Sequence, residues 1–102
     1  MKLVKSLLKQ KKSKYIFIRR INGRSMEPLF KEKQFVIASG LVSPKESSIV
    51  IFRDGGLEKI KYVDKVKDDR LYVLGYNPKY STDSRHFGWI SREAVVGVVI
   101  WP

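Results

Sequence analysis

The sequence contains no cysteine. Disulfide frameworks, thiolate metal sites and cysteine nucleophiles are therefore excluded. It contains one histidine, His86, too few for a histidine metal cluster, so no metal or other cofactor is expected. Long hydrophobic runs are missing as well. No stretch reaches the roughly 18–20 apolar residues that span a bilayer. Near the start, lysines interrupt Leu3, Val4, Leu7 and Leu8, so the continuous apolar run of a secretory signal is absent. With no spanning segment, a membrane-associated or a cytoplasmic location is the expectation. Acidic residues are lacking from positions 1–20, which hold eight Lys/Arg.

The chain has 102 residues, 43% of them hydrophobic, enough for one folded domain with one modest core. The formal charge is +11, a value that suggests nucleic acid or an anionic surface as partner. Its distribution changes that reading. Positions 21–102 hold 13 basic and 10 acidic residues, a net of only +3. The excess belongs to an arm at residues 1–14, read as a short helix with Leu3, Val4, Leu7 and Leu8 on one face and lysines on the rest. Such an arm is either a solvated extension or an anchor on an anionic membrane surface. The expected domains are thus the arm at 1–14 and a folded domain at 15–102.

From Tyr15 onward the pattern is β. Segments 15–21, 35–38, 49–52, 60–66, 71–74 and 95–101 are rich in β-branched and aromatic residues. Turn signals separate them, among them Asn22-Gly23, Asp54-Gly55-Gly56 and Asp68-Asp69. Ser91 is suited to cap a brief helical turn over Arg92–Ala94. The predicted class is mostly β: a compact antiparallel barrel or folded sheet with a short N-terminal helix.

Three segments carry chemistry. In Gly23-Arg24-Ser25-Met26-Glu27-Pro28-Leu29, Gly23 permits a sharp turn and Pro28 discourages a regular ladder. Ser25 then presents a hydroxyl at the end of the sheet. In Glu58-Lys59-Ile60-Lys61-Tyr62-Val63, strand alternation puts Lys59, Lys61 and Val63 on one face. A lysine there is either a solvated cation or a base whose pKa burial has lowered. Residues 75–88 gather Asn77, Ser81, Thr82, Asp83, Ser84 and Arg85, which suit either a hydrogen-bond network or a polar surface loop.

Taken in order, the three segments resemble those of type I signal peptidases. The nucleophile motif Gly-x-Ser-Met-x-Pro-Thr-Leu is matched by residues 23–29, with Leu29 directly after Pro28. Lys61-Tyr62-Val63 resembles the family's Lys-Arg-Val. Gly75-Tyr76-Asn77 followed by Ser81-Thr82-Asp83-Ser84-Arg85-His86-Phe87-Gly88 resembles Gly-Asp-Asn-x-x-x-Ser-x-Asp-Ser-Arg-x-x-Gly. The closing run Val96-Gly97-Val98-Val99-Ile100-Trp101-Pro102 is similar to the family's last strand.

The resemblance implies a serine endopeptidase that removes N-terminal leader or signal segments. Ser25 would be the nucleophile and Lys61 the general base. Ser81 would hold the lysine amine, and Asp83 and Arg85 would form a supporting salt bridge with Ser84 beside them. Gly23, Met26 and Pro28 would shape the substrate-binding turn, and the Ser25 N–H would face the oxyanion. Spacing to Gly75 favours Lys61 over Lys59, and the pattern argues against His86 as a base.

Some residues depart from the pattern. Tyr76 stands for the usual Asp, Tyr62 for the usual Arg, and Lys33-Gln34 for a common Gly-Asp pair. The shortness of the chain makes it similar to minimal catalytic-core members, including peptidases that trim the leader of nickel superoxide dismutase. Self-cleaving repressor domains share the catalytic logic, but no helix-turn-helix precedes this core. Two rival functions remain. One is a small basic barrel binding nucleic acid, which the modest charge of the body argues against. The other is a non-catalytic binding module, which retention of Ser25 and Lys61 argues against.

Overall fold

A computed structural model describes residues 15–102; the arm read at 1–14 lies outside the described residues. The strands are β1 (Ile16–Arg20), β2 (Phe35–Ser39), β3 (Ile49–Asp54), β4 (Leu57–Lys67), β5 (Arg70–Leu74), β6 (Ile90–Ser91) and β7 (Val95–Trp101). They form one seven-stranded sheet in the order β1-β2-β7-β3-β4-β5-β6. Each neighbouring pair is antiparallel. One turn of helix, α1 (Ser84–Phe87), follows β5, and single 3-10 turns cover Pro78–Tyr80 and Arg92–Ala94. As the sequence suggests, Ser91 caps the second of these, its hydroxyl accepting from the Glu93 N–H at 3.2 Å.

Tight turns fix the register of the central strands. Asp54 pairs with Leu57, leaving Gly55-Gly56 as a two-residue hairpin loop with Gly55 at φ +63°. Lys67 pairs with Arg70, and Asp68 takes φ +54° in the turn between them. Irregularities interrupt the ladders between Ile37 and Ala38, Ile51 and Phe52, and Val63 and Lys65. Such bulges bend and twist a strand.

The alternation in β3 divides the core in two. Ile51 joins Ile21, Met26, Phe30, Val36, Ala38 and Val96, with Ile49 packed against them. Val50 and Phe52 join Val63, Leu71, Val73, Val95 and Val98. A sheet apolar on both faces must fold over itself or be covered. Here it folds. Arg19 of β1 reaches Glu58 of β4 at 2.7 Å although three strands lie between them in sheet order. The contact is made by side chains and not by a ladder, so the sheet stays open. Of the two expected forms, the folded sheet is correct and the closed barrel is not.

Candidate active site

Ser25 begins a tight turn just beyond β1. The next residue, Met26, is completely buried in the first cluster, and Phe30 is 3% exposed. The Phe30 N–H donates to the Met26 carbonyl at 2.9 Å, closing the turn. Gly23 holds φ +85°, where a side chain would be strained. Met26 thus pins the turn to the core, and Pro28 keeps the chain out of a ladder. The Ser25 hydroxyl is left on the wall of an open groove of about 430 Å³. Residues 19–25 line one side of the groove and residues 58–61 of β4 another, with Ile51, Tyr80 and Thr82 completing it.

Lys61 crosses from β4 to the serine. Its Nζ lies 2.9 Å from Ser25 Oγ, and both residues are buried. Its ladder partner Val50 and its face neighbour Val63 belong to the second core cluster. Burial lowers the Lys61 pKa from 10.5 to about 8; Asp83 opposes the shift and Lys59 adds to it. Lys59 has a different environment. Its Nζ pairs with Asp54 Oδ2 at 2.8 Å and sits 5.1 Å from the Phe87 ring centre. Both contacts suit an ammonium ion.

Asp83 organises the segment that follows β5. It is fully buried and caps α1, accepting from the Arg85 N–H. Its carboxylate also takes the Gly75 N–H at 2.9 Å, the Ser81 hydroxyl at 2.6 Å, and Arg85 Nε and Nη2 at 3.0 and 2.6 Å. Burial alone would raise its pKa. The Arg85 guanidinium, the Gly75 N–H and the Ser81 hydroxyl outweigh burial and hold the carboxyl far below its ordinary range. Ser84 accepts the Val73 N–H at 2.8 Å, tying α1 to β5. His86 is mostly exposed, with Nδ1 accepting from the Asp83 N–H at 3.3 Å.

Ser25 and Lys61 thus meet at the groove, while Ser81, Asp83 and Arg85 form one hydrogen-bonded network and Ser84 binds β5 beside them. The Ser81 hydroxyl donates to Asp83 Oδ2, and no hydrogen bond joins Ser81 to Lys61 among the described residues. The sequence reading also overlooked backbone contributions. The Asn77 N–H donates to the Ser25 carbonyl at 2.8 Å. A Cβ on Gly75 would lie 2.6 Å from Ser81 Cβ and 2.9 Å from the Ser25 carbonyl oxygen. Glycine is thus required for these segments to meet. Residue type alone does not signal a donating backbone N–H, and Gly75 stood out only as the first residue of a motif.

A family model described as Peptidase S24-like matches residues 1–100. The chain belongs to the peptidase S24-like family. It is also 34% identical over 80 residues to signal peptidase I V of Bacillus subtilis (strain 168), an alignment covering 78% of this chain and 42% of that protein. The resemblance to type I signal peptidases is thereby supported, although the chain spans less than half the length of that relative. The buried serine, lysine and aspartate of this peptidase S24-like chain lie within the matched region.

Asp83 provides a stability prediction. A carboxyl held low in the folded state contributes stability that is complete above its ordinary value of 3.8 and is lost as pH falls below it. Asp83→Asn should cost about 2–4 kcal/mol at pH 7, because a buried charge-assisted network loses its centre. Urea melts of both proteins at pH 7 and pH 3 check this. The gap between them should narrow at the lower pH; a gap of the same size at both would contradict the assignment.

Proposed function

We propose that this chain is a serine endopeptidase that removes N-terminal leader or signal segments, with Ser25 as nucleophile and Lys61 as general base. The observation that carries this reading is the 2.9 Å approach of Lys61 Nζ to Ser25 Oγ in a buried setting at a groove wall. A charged amine at that distance can only donate to the hydroxyl. Once neutral, its lone pair can accept the Ser25 proton. A pKa near 8 makes the neutral form accessible close to neutral pH. Membership of a peptidase family and similarity to a signal peptidase support the substrate class.

The steps balance as acyl transfer. Lys61 takes the Ser25 proton while Oγ bonds to the scissile carbonyl carbon. The oxygen that becomes negative is met by the Ser25 N–H, which makes no hydrogen bond among the described residues. As the C–N bond breaks, the Lys61 ammonium returns its proton to the departing amine. An ester on Ser25 remains. Water attacks that ester while Lys61 takes its proton. The Lys61 ammonium then returns the proton to Ser25 Oγ as the bond from Oγ to the acyl carbon breaks, and the leader leaves with its new carboxyl terminus. Asp83 does not touch the reacting atoms in this scheme. It anchors Ser81 and Arg85 and adds negative potential that partly restores the Lys61 pKa.

A panel of peptides that each carry a leader joined to a mature segment tests the reading. Mass spectrometry should find one cleavage at the leader junction, and the products should be absent with Ser25→Ala. Failure of every peptide, or equal products from both proteins, would reject the proposed activity.

A further inference from the structure

The second core cluster occupies only part of its face of the sheet. Residues directly opposed in a ladder point to the same side. Val98 of β7 belongs to that cluster and opposes Ser39 of β2, which opposes Ile16 of β1. Alternation puts Ile18 and Arg20 on the same side as Ile16, and Phe35 and Ile37 on the same side as Ser39. The next row across the strands is Ile18, Ile37 and Trp101. The last is Arg20 with Phe35, whose ring lies 5.2 Å from the guanidinium. The apolar face therefore runs on past the core, over β2 and β1. There it is uncovered: Ile16 is 64% exposed, Ile18 60%, Phe35 57% and Trp101 62%.

A second apolar stripe adjoins this face in sequence. β1 begins at Ile16, and the Tyr15 carbonyl accepts from the Gly40 N–H at 3.2 Å, so residues 1–14 join the sheet at the edge of the face. The family match begins at residue 1, which makes that arm part of the matched unit. The arm's stripe is Leu3, Val4, Leu7 and Leu8. Read as a helix, residues 1–9 measure about 13 Å. The face measures about the same along β1 from Ile16 to Arg20, at roughly 3.3 Å per residue. Residues 10–14 remain for the return, a usual length for a helix-to-strand connection. Lys2, Lys5 and Lys9 would then point to water. A second copy fits less well. Stable interfaces use about 20–30 residues a side, and this face offers Ile16, Ile18, Phe35, Ile37 and Trp101. A tethered segment needs less contact, because its effective concentration is on the order of millimolar.

We propose that residues 1–14 fold back over β1, β2 and the end of β7, with Leu3, Val4, Leu7 and Leu8 covering Ile16, Ile18, Phe35 and Trp101. Neither surface takes part in the peptidase scheme. A helix this short gains its stability from such packing.

The sequence has no cysteine, so introduced pairs report proximity without background. Ile18 lies outside both core clusters, so Ile18→Cys leaves the folded domain intact. In the full chain, Leu7→Cys combined with Ile18→Cys should oxidise to an intramolecular disulfide, read by intact mass and reversed by dithiothreitol. Lys9→Cys with Ile18→Cys is the control. Lys9 is on the far side of a helix about 10 Å across, and a disulfide needs Cα atoms within about 7 Å. The control pair should cross-link at least about tenfold more slowly. Equal rates, or no cross-link from either pair, would overturn the docked arm. So would a disulfide between two molecules, which identifies a second copy as the occupant. The oxidation is then repeated with phosphatidylserine vesicles. An unchanged rate for the Leu7 pair supports the arm as the cover, and a collapsed rate assigns the face to a lipid surface and overturns it.

Discussion

Ser25→Ala should abolish cleavage of a leader-bearing peptide and leave the fold unchanged. The substitution deletes one oxygen at the wall of an open groove, so no closed cavity forms. Met26, which pins the turn, is untouched and remains buried. The lost hydrogen bond is the one to Lys61 Nζ. Water from the groove can replace it, so stability should change by no more than about 1 kcal/mol. The rate should change far more. Without the hydroxyl there is no covalent route, and removal of an activated serine costs on the order of 10⁴–10⁶ in kcat. Chromatography of the products, paired with thermal melts of both proteins, checks both parts. A folded Ser25→Ala protein that still turns over substrate would end the serine mechanism.

Lys61→Met should be nearly as damaging, and Lys59→Met should not. Methionine approximates the length of lysine but cannot accept a proton. Losing a general base costs roughly 10²–10⁴ in rate. Lys59 is held by Asp54 at 2.8 Å and has no part as base in the proposed scheme. It does contribute a positive charge that helps lower the Lys61 pKa. Lys59→Met should therefore stay close to wild type at its optimum while its pH–rate curve moves slightly upward. The wild-type curve should rise with pH through about 8 as Lys61 loses its proton. Below that point, each unit of pH should cost about tenfold, because only the neutral amine can act. Two active methionine variants would remove lysine from the mechanism. An inactive Lys59→Met beside an active Lys61→Met would transfer the role to Lys59.

Much of the fold was legible because β-branched runs alternate with short turn signals. The expected segment 95–101 has the bounds of β7, and Asp54-Gly55-Gly56 forms the hairpin its composition suggests. β4 was read as 60–66 but extends to Leu57–Lys67. Its added ends are largely polar residues paired across the hairpins, so pairing partners settle their state and local propensity does not. The two-residue β6 and the single turn α1 are too short to leave a periodic signal. α1 depends on Asp83, whose fixed position comes from Arg85, Ser81 and Gly75.

The site was legible as a set of residues and less so as a set of contacts. Period-two alternation put Lys59 and Lys61 on one face, and no local pattern separates them. What separates them is the folding of the sheet, which brings Ser25 to Lys61, and the hairpin, which brings Asp54 to Lys59. The Ser81 hydroxyl donates to Asp83, a carboxylate fixed by Arg85 and the Gly75 N–H. The rings of Tyr62 and Tyr76 stack although they come from separate segments. Both outcomes belong to tertiary structure, which spacing along the chain does not encode.

The central claim is that Ser25 forms a covalent ester during turnover, with Lys61 moving the proton. Acid quenching during cleavage of a leader peptide, followed by intact-mass measurement and peptide mapping, tests it most directly. The account predicts an added mass equal to the leader acyl group, located on Ser25 and absent from both Ser25→Ala and Lys61→Met. Rapid cleavage with no adduct under any quench, or an adduct mapped to a residue other than Ser25, would contradict it.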